Sequence, residues 1–226
     1  MNDLPPSASK ADAASMSAGS WGLGPMAPVD IVNQALSALG EARITSLDDP
    51  GPAAGLARSL YAAVRDAETS RYSWNFARAR ARLPALAEAP AFGWARQYLL
   101  PPDCLRVLTA GPWPQALTDD YIGGENRAWL IEGRNLLSNQ GSPLDLVYLR
   151  RVEDPAFYPP AFVEVLAAKL ALRMCERLAG SNSKRELAAR EYDLALKQAR
   201  RLEAIQLPPQ RPADGEWMIA QLKGGW

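Results

Sequence analysis

The apolar periodicity of this 226-residue chain changes twice, and each change limits the fold. Apolar residues recur at helical spacing up to about residue 70. From Phe76 to Arg150 they alternate or break into short runs, and helical spacing returns near Ala161. A period of 3.6 buries a stripe of a helix, and a period of two buries one face of a strand. The chain therefore predicts an α+β fold: two helices, an inserted β lobe, then two more helices. Because the helices flank the lobe in sequence, they are expected to close into an antiparallel bundle of about four.

Punctuation sharpens the helical blocks. The first helix is predicted over residues 29–39, with Pro28 before it, Asp30 in its first turn and Gly40 as a stop. Its stripe is Ile31, Val32, Ala35, Leu36 and Leu39. The second spans residues 53–70 with Leu56, Leu60, Ala63, Val64 and Ala67 inward, which leaves Arg58, Arg65, Asp66 and Glu68 off the stripe. The third spans 161–179, carries Val165, Leu166, Leu170, Leu172 and Met174, and ends at Gly180. Ser183 to Glu186 fits a capping box for a fourth helix running to about 205. Its apolar positions are Leu187, Ala188, Tyr192, Ala195, Ala199 and Leu202.

Residues 76–83 alternate strictly, with Arg78, Arg80 and Arg82 on one side and alanines with Leu83 on the other. This reads as a strand with one wet face. Further strands are expected at Tyr98-Leu99-Leu100, 105–109, 128–131, 135–138 and 144–150. Glu132-Gly133-Arg134 and Asn139-Gln140-Gly141-Ser142 both suit hairpin turns. Residues 111–127 read as an exposed loop. The expected organisation is an N-terminal arm (1–28), a helical domain (29–83 and 153–205), a β-rich lobe (84–152) and a C-terminal docking arm (206–226). The last holds Trp217, Met218, Ile219, Leu222 and Trp226, apolar side chains that a polar tail leaves in water unless a partner covers them.

Composition removes several functions. The chain has no His, so imidazole base catalysis and imidazole metal sites are excluded. Its two cysteines, Cys104 and Cys175, cannot form a CxxC site and are expected to be reduced and packed. No phosphate-loop, dinucleotide or nucleophile-elbow motif occurs. The acidic pairs Asp48-Asp49, Asp119-Asp120 and Glu153-Asp154 lie beside turn residues and read as solvated turns. No catalytic, cofactor or metal residue is expected. Lys and Arg total 25 against 25 Asp and Glu, which argues against a chain that coats DNA. The longest apolar-rich stretch, Phe162 to Cys175, is interrupted by Glu164, Lys169 and Arg173, so no membrane span is expected, and no secretory signal stands at the start. One basic feature remains. Arg71, Arg78, Arg80 and Arg82, interleaved with Tyr72, Trp74 and Phe76, could touch nucleic acid or pair with acids on this or a neighbouring chain.

A set of motifs in order resembles one family. They begin with Ile31-Val32-Asn33-Gln34-Ala35-Leu36-Ser37-Ala38-Leu39-Gly40, followed by Ile44-Thr45-Ser46-Leu47-Asp48-Asp49. Next come Trp74-Asn75-Phe76-Ala77 and Leu100-Pro101-Pro102-Asp103-Cys104-Leu105-Arg106-Val107. Ile131-Glu132-Gly133-Arg134-Asn135-Leu136-Leu137 follows, with Asp154-Pro155 and Asp214-Gly215-Glu216-Trp217 last. Together they resemble the tail tubular protein A family, head-to-tail adaptors of short-tailed bacteriophages. The resemblance implies a homo-oligomeric ring, usually of twelve copies, docked under the portal protein. Below it would sit the tail nozzle or a tail tubular protein B-like protein, with tail fibres as further partners. Double-stranded DNA would pass through the lumen without being gripped, and no membrane is involved. The helices would form the ring wall, the β lobe would face neighbours or tail components, and the arms would clasp adjacent subunits or the portal. Arg71, Arg78, Arg80 and Arg82 become candidate lumen or inter-subunit contacts. The expected place is the virion neck, assembled in the host cytoplasm. Two rivals stand beside it: a connector from another phage morphology, and a nucleic-acid-binding module using the arginine row.

Overall fold

The computed structural model describes residues 26–111 and 129–206. Among the described residues, four helices and two three-stranded antiparallel sheets make an α+β fold: α1 (Pro28–Leu39), α2 (Pro52–Arg71), α3 (Pro160–Leu178) and α4 (Asn182–Ile205). The strands are β1 (Arg78–Leu83), β2 (Arg96–Leu99), β3 (Cys104–Ala110), β4 (Trp129–Glu132), β5 (Asn135–Ser138) and β6 (Leu144–Arg150). The expected loop at 111–127 and both arms lie almost wholly outside the described residues.

Helix α3 is the centre of the helical body, and α1, α2 and α4 all pack on it. Phe162, Val165, Leu166, Leu170, Met174 and Cys175 of α3 are fully buried. Helix α1 starts where Asp30 accepts the Ala27 N–H at 2.8 Å. It ends at Gly40, whose φ of 74° lets the Glu41 N–H reach the Leu36 carbonyl at 2.9 Å. The Lys184 ammonium of α4 caps the same end through the Leu39 carbonyl at 2.9 Å.

Three local expectations need correction. The inward face of α2 is Ala54, Ala57, Tyr61, Val64, Arg65 and Glu68, while Ala63 and Ala67 are exposed and Leu56 and Leu60 only half-buried. Tyr61, Arg65 and Glu68 present larger surfaces than the alanines, and Arg65 and Glu68 find polar partners outside the helix in Glu153 and Tyr192, so the helix turns that face inward. The cap of helix α4 is Ser181, two residues before the anticipated one. Gly180, at φ 55°, turns the chain, and the Ser181 hydroxyl accepts the Lys184 N–H at 3.5 Å. Leu187 and Leu202 of α4 are exposed, and Leu196 is buried with Ala188, Tyr192 and Ala199.

The lobe contains a sheet in the order β1-β6-β3 and a second in the order β2-β5-β4. Strand β1, grouped with the helices by sequence, pairs with β6 in the register Arg78↔Leu149, Arg80↔Val147 and Arg82↔Asp145. A short 3-10 turn, Asn75–Ala77, precedes it where the strand was expected to begin. The anticipated hairpin at Glu132-Gly133-Arg134 forms, with Gly133 at φ 59°. The one at Asn139-Gln140-Gly141-Ser142 does not. There the chain leaves one sheet for the other, because the Gln140 and Gly141 carbonyls accept the Tyr98 hydroxyl at 2.8 and 3.1 Å and Pro143 has no N–H for a ladder.

Two cores result. The helical one also takes in Ala77, Leu149 and Val152 from the lobe's base. The second lies between the sheets, with Leu83, Val107, Leu144, Leu146 and Tyr148 from one and Tyr98 and Leu136 from the other.

Candidate functional site

The arginine row does not form one surface. Arg78, Arg80 and Arg82 share the exposed side of β1, an edge strand, while Ala79 and Ala81 pack on the lobe core. Arginines on an edge discourage further strand pairing. Arg82 is bound to Asp145 on β6 at 3.0 Å. Arg71 lies elsewhere, at the end of α2. Its guanidinium donates to the Tyr192 hydroxyl at 2.8 Å and stands 3.7 Å from the Glu68 carboxylate. The interleaved aromatics are not a stacking platform. Trp74 is buried, and Phe76 meets Phe162 at 4.7 Å and Tyr158 at 5.6 Å between ring centroids. They seal the helical core at its junction with the sheet.

Sequence reasoning missed the polar knot beside that junction. The Glu68 side chain is 3% exposed, yet it carries a carboxylate. It accepts the Tyr192 hydroxyl at 2.8 Å, and the Lys169 ammonium stands 3.8 Å away. Lys169 also lies 4.2 Å from the centre of the Tyr192 ring. The Trp74 indole donates to the Glu68 carbonyl at 2.8 Å. One buried acid thus ties α2 to both α3 and α4. Burial, and then the bond to Glu68, push the Tyr192 phenol up from its ordinary value. The available signal was an acid at the end of an amphipathic helix, one turn from Arg71, with a tyrosine on the partner helix.

Helices α2 and α4 meet at this knot through Glu68 and Tyr192. Between them, over α3, lies a groove of about 1050 Å³. Leu56, Leu60, Leu172 and Leu178 line it, half-buried. Arg173, Arg177 and Arg185 stand exposed along it, with Lys169 beside the knot and Glu176 as its acid. The outer face of α4 is also uncovered. Leu187, Leu194 and Ile205 are 54%, 57% and 79% exposed and fall on one line of the helix at about 100° per residue.

The predicted docking residues Trp217, Met218, Ile219, Leu222 and Trp226 lie outside the described residues. Cys175 is buried in the helical core and Cys104 is half-buried in the lobe, both unpaired. Burial, and then Asp103, raise the Cys104 thiol's pKa, which lowers its nucleophilic fraction. Asp49 accepts the Thr45 and Ser46 N–H groups at 2.7 and 3.1 Å, and Asp154 accepts the Ala156 N–H at 2.9 Å. Both are turn-forming acids. Among the described residues no group of three or more His, Cys, Asp or Glu side chains is placed to hold a metal ion. No described helix is long and apolar enough to cross a membrane.

The motif residues within the described structure are mostly joints. Asn33, buried in α1, holds both backbone groups of Ile44 at 2.9 Å. Asp103 accepts the Tyr148 hydroxyl at 3.2 Å, and its carbonyl accepts the Arg151 N–H at 2.7 Å. Arg134, just past the β4–β5 turn, reaches the Pro101 carbonyl at 2.8 Å. Comparison with family models finds no match, and comparison with curated proteins finds no match either.

Proposed function

We propose that this chain is a virion structural protein, a head-to-tail adaptor similar to tail tubular protein A of short-tailed bacteriophages. Copies assemble as a ring, of the dodecamer kind, between the portal and the tail nozzle or a tail tubular protein B-like protein. The ring is a conduit for genome ejection and performs no catalysis. It forms during tail assembly in the host cytoplasm and resides in the virion neck.

The observation that carries this reading is the uncovered apolar line Leu187–Leu194–Ile205 on α4, together with an open, leucine-floored groove elsewhere on the helical body. Such surfaces on a protein of this size call for protein partners. The motif residues support it because they act as joints between helices and lobe, as expected where a shared architecture rather than a pocket is maintained. The nucleic-acid rival loses ground because Arg71 is engaged by Glu68 and Tyr192, and Arg82 by Asp145.

Native mass spectrometry of the purified chain, alone and with the portal protein of the same genome, tests the proposal. The expected result is a defined multiple of the chain on the portal. A chain that ignores the portal and instead binds duplex DNA with steep salt dependence would overturn it.

A further inference from the structure

The groove over α3 is cationic along one wall and small and uncharged along the other. On α3, Lys169, Arg173 and Arg177 recur every four residues, so they stand about 6 Å apart along the axis and drift only about 40° per step around it. Glu68 engages Lys169. Arg173 and Arg177, with Arg185 at the start of α4, have no ion-pair partner among the described residues. The facing wall comes from α2 and presents Pro52, Gly55 and Ser59. Between the walls Leu56, Leu60, Leu172 and Leu178 are half-buried. Gly55 lies inside α2, where glycine is the poorest helix former after proline. A Cβ built on it meets no atom within 4 Å, so the fold itself does not require the missing side chain. Its absence leaves that wall open to close approach by another backbone.

A ligand for this groove must cover leucines and meet a row of cations. Nucleic acid meets the second need and leaves the leucines in water. A helix with carboxylates at i and i+4 beside an apolar stripe meets both, because its acids recur at the same spacing of about 6 Å as Arg173 and Arg177. This chain is a poor source of such a helix. The uncovered face of α4 sets Arg190, Lys197 and Arg201 beside Leu187, Leu194 and Ile205, so a second copy would bring like charge to like. Residues 206–226 carry Arg211 and Lys223 beside Asp214 and Glu216 and have no net charge to offer.

We infer that the α2–α4 groove docks an acidic amphipathic helix of a different protein. Its carboxylates meet Arg173, Arg177 and Arg185, its apolar stripe covers the leucines, and its backbone passes closest at Gly55. Lys169 to Leu178 spans about 14 Å of α3, which matches between two and three turns of the incoming helix. This is helix-in-groove recognition, with the apolar stripe giving affinity and the charges giving register. The inference goes beyond the adaptor reading and holds for any partner with such a helix. Its test uses no portal protein, so it and the portal experiment succeed or fail separately.

The test is fluorescence anisotropy with the full chain and three labelled probes. One is a stapled synthetic helix with leucines at i, i+3, i+4 and i+7 and glutamates on both flanks. The second replaces every glutamate by lysine, and the third is a DNA duplex. The glutamate helix should bind with saturation below about 1 mM, and the lysine helix should not bind. Arg173→Glu with Arg177→Glu should weaken the glutamate helix by about tenfold or more. The same reversal should confer binding of the lysine helix, a gain that misfolding cannot produce. Gly55→Gln brings a better helix former, so Tm should hold or rise while the glutamate helix binds about tenfold more weakly. No binding of the glutamate helix by about 1 mM would overturn the inference, as would binding that the arginine reversal leaves unchanged. Binding that responds to the reversal and ignores Gly55→Gln would place the helix outside the groove and overturn the docking geometry. A duplex that binds more tightly than the glutamate helix, and is lost on the same reversal, would make the cations a phosphate site and overturn the choice of a protein partner.

Discussion

Replacing Glu68 by Ala is the perturbation whose cost the structure defines best. The substitution removes the acceptor of the Tyr192 hydroxyl, bound at 2.8 Å, and the counter-charge of Lys169 at 3.8 Å and Arg71 at 3.7 Å. A hydrogen bond to a charged group contributes about 1.5–3 kcal/mol. Breaking a buried ion pair costs about 3–5 kcal/mol when the remaining charge cannot reach water. Here Arg71 is 48% exposed and Lys169 22%, so both cations can partly rehydrate and their share must be discounted. The expected loss is therefore about 2–3 kcal/mol, or roughly 4–12 °C in Tm for a chain of this length. Urea unfolding followed by circular dichroism measures it. Glu68→Gln keeps an oxygen for Tyr192 but no charge and should fall between wild type and Glu68→Ala. A cycle with Tyr192→Phe should show coupling of about 1–2 kcal/mol, since the two groups share one bond. If Glu68→Ala lies within about 0.5 kcal/mol of wild type, the knot does not hold α2 to α3 and α4.

Burial raises the Tyr61 phenol to about 12 and pushes Tyr158 and Tyr192 upward as well. The unfolded phenol ionises first, near pH 10, so their contribution is complete below about pH 10 and is lost as pH rises through the folded values. Urea midpoints should hold up to about pH 10 and fall above it, and a midpoint that climbs there would refute the assignment. Thiol titration of the denatured, unreduced chain should count both Cys104 and Cys175, whereas a count of zero would mean a disulfide. Deleting residues 206–226 should leave the helical circular dichroism signal intact and abolish incorporation into particles; tail-complete particles built from the truncated chain would contradict the docking role. Replacing Arg71, Arg78, Arg80 and Arg82 together by Ala should leave any weak DNA retention on a column unchanged at physiological salt, and a large loss would favour the nucleic-acid rival.

The outline of the fold was legible because periodicity and punctuation agreed. Pro28 and Gly40 bracket α1, Gly180 separates α3 from α4, and β5 and β6 fall where the sequence places them. The α2 face was not legible. Its alanines carry little burial energy, so Tyr61, Arg65 and Glu68 decide which side turns inward, and the partners that Arg65 and Glu68 find outside the helix are distant in sequence. Arg65 meets Asp66 at 2.8 Å and Glu153 at 3.8 Å, and Glu68 meets Tyr192. A stripe drawn from hydrophobicity alone counts such charges as solvated. The false hairpin at Asn139–Ser142 has a similar origin. Its residues suit a tight turn, but the pairing choice of β6 is fixed by β1 and β3, and local turn chemistry holds no information about either. Of the candidate site residues, the arginines could be placed on a strand face from their alternation, yet Arg71 could not be separated from them without knowing where α2 ends.

The junction between the two cores bears on assembly. Arg106 on β3 donates to the Arg71 carbonyl at 3.3 Å and the Ser73 hydroxyl at 3.1 Å, and Arg151, just past β6, binds Asp66 of α2 at 2.8 Å. Phe76, Tyr158 and Phe162 fill the space behind these bonds, and Leu149 and Val152 extend the helical core into the lobe's base. Charge, hydrogen bonding and aromatic packing therefore fix the angle of the lobe to the helices at several points rather than through one linker. A linker would let each copy dock at its own angle, and a ring built from such copies would not close reliably. Several fixed points remove that freedom, so in the proposed ring a contact made on the helical body would set the position of the lobe as well. The uncovered surfaces of α4 and the α2–α4 groove lie on the helical body, and the edge strand with its arginines lies on the lobe. One copy thus holds uncovered surfaces on two bodies at a set angle, the arrangement that the proposed adaptor would need to meet its own copies and a second protein together.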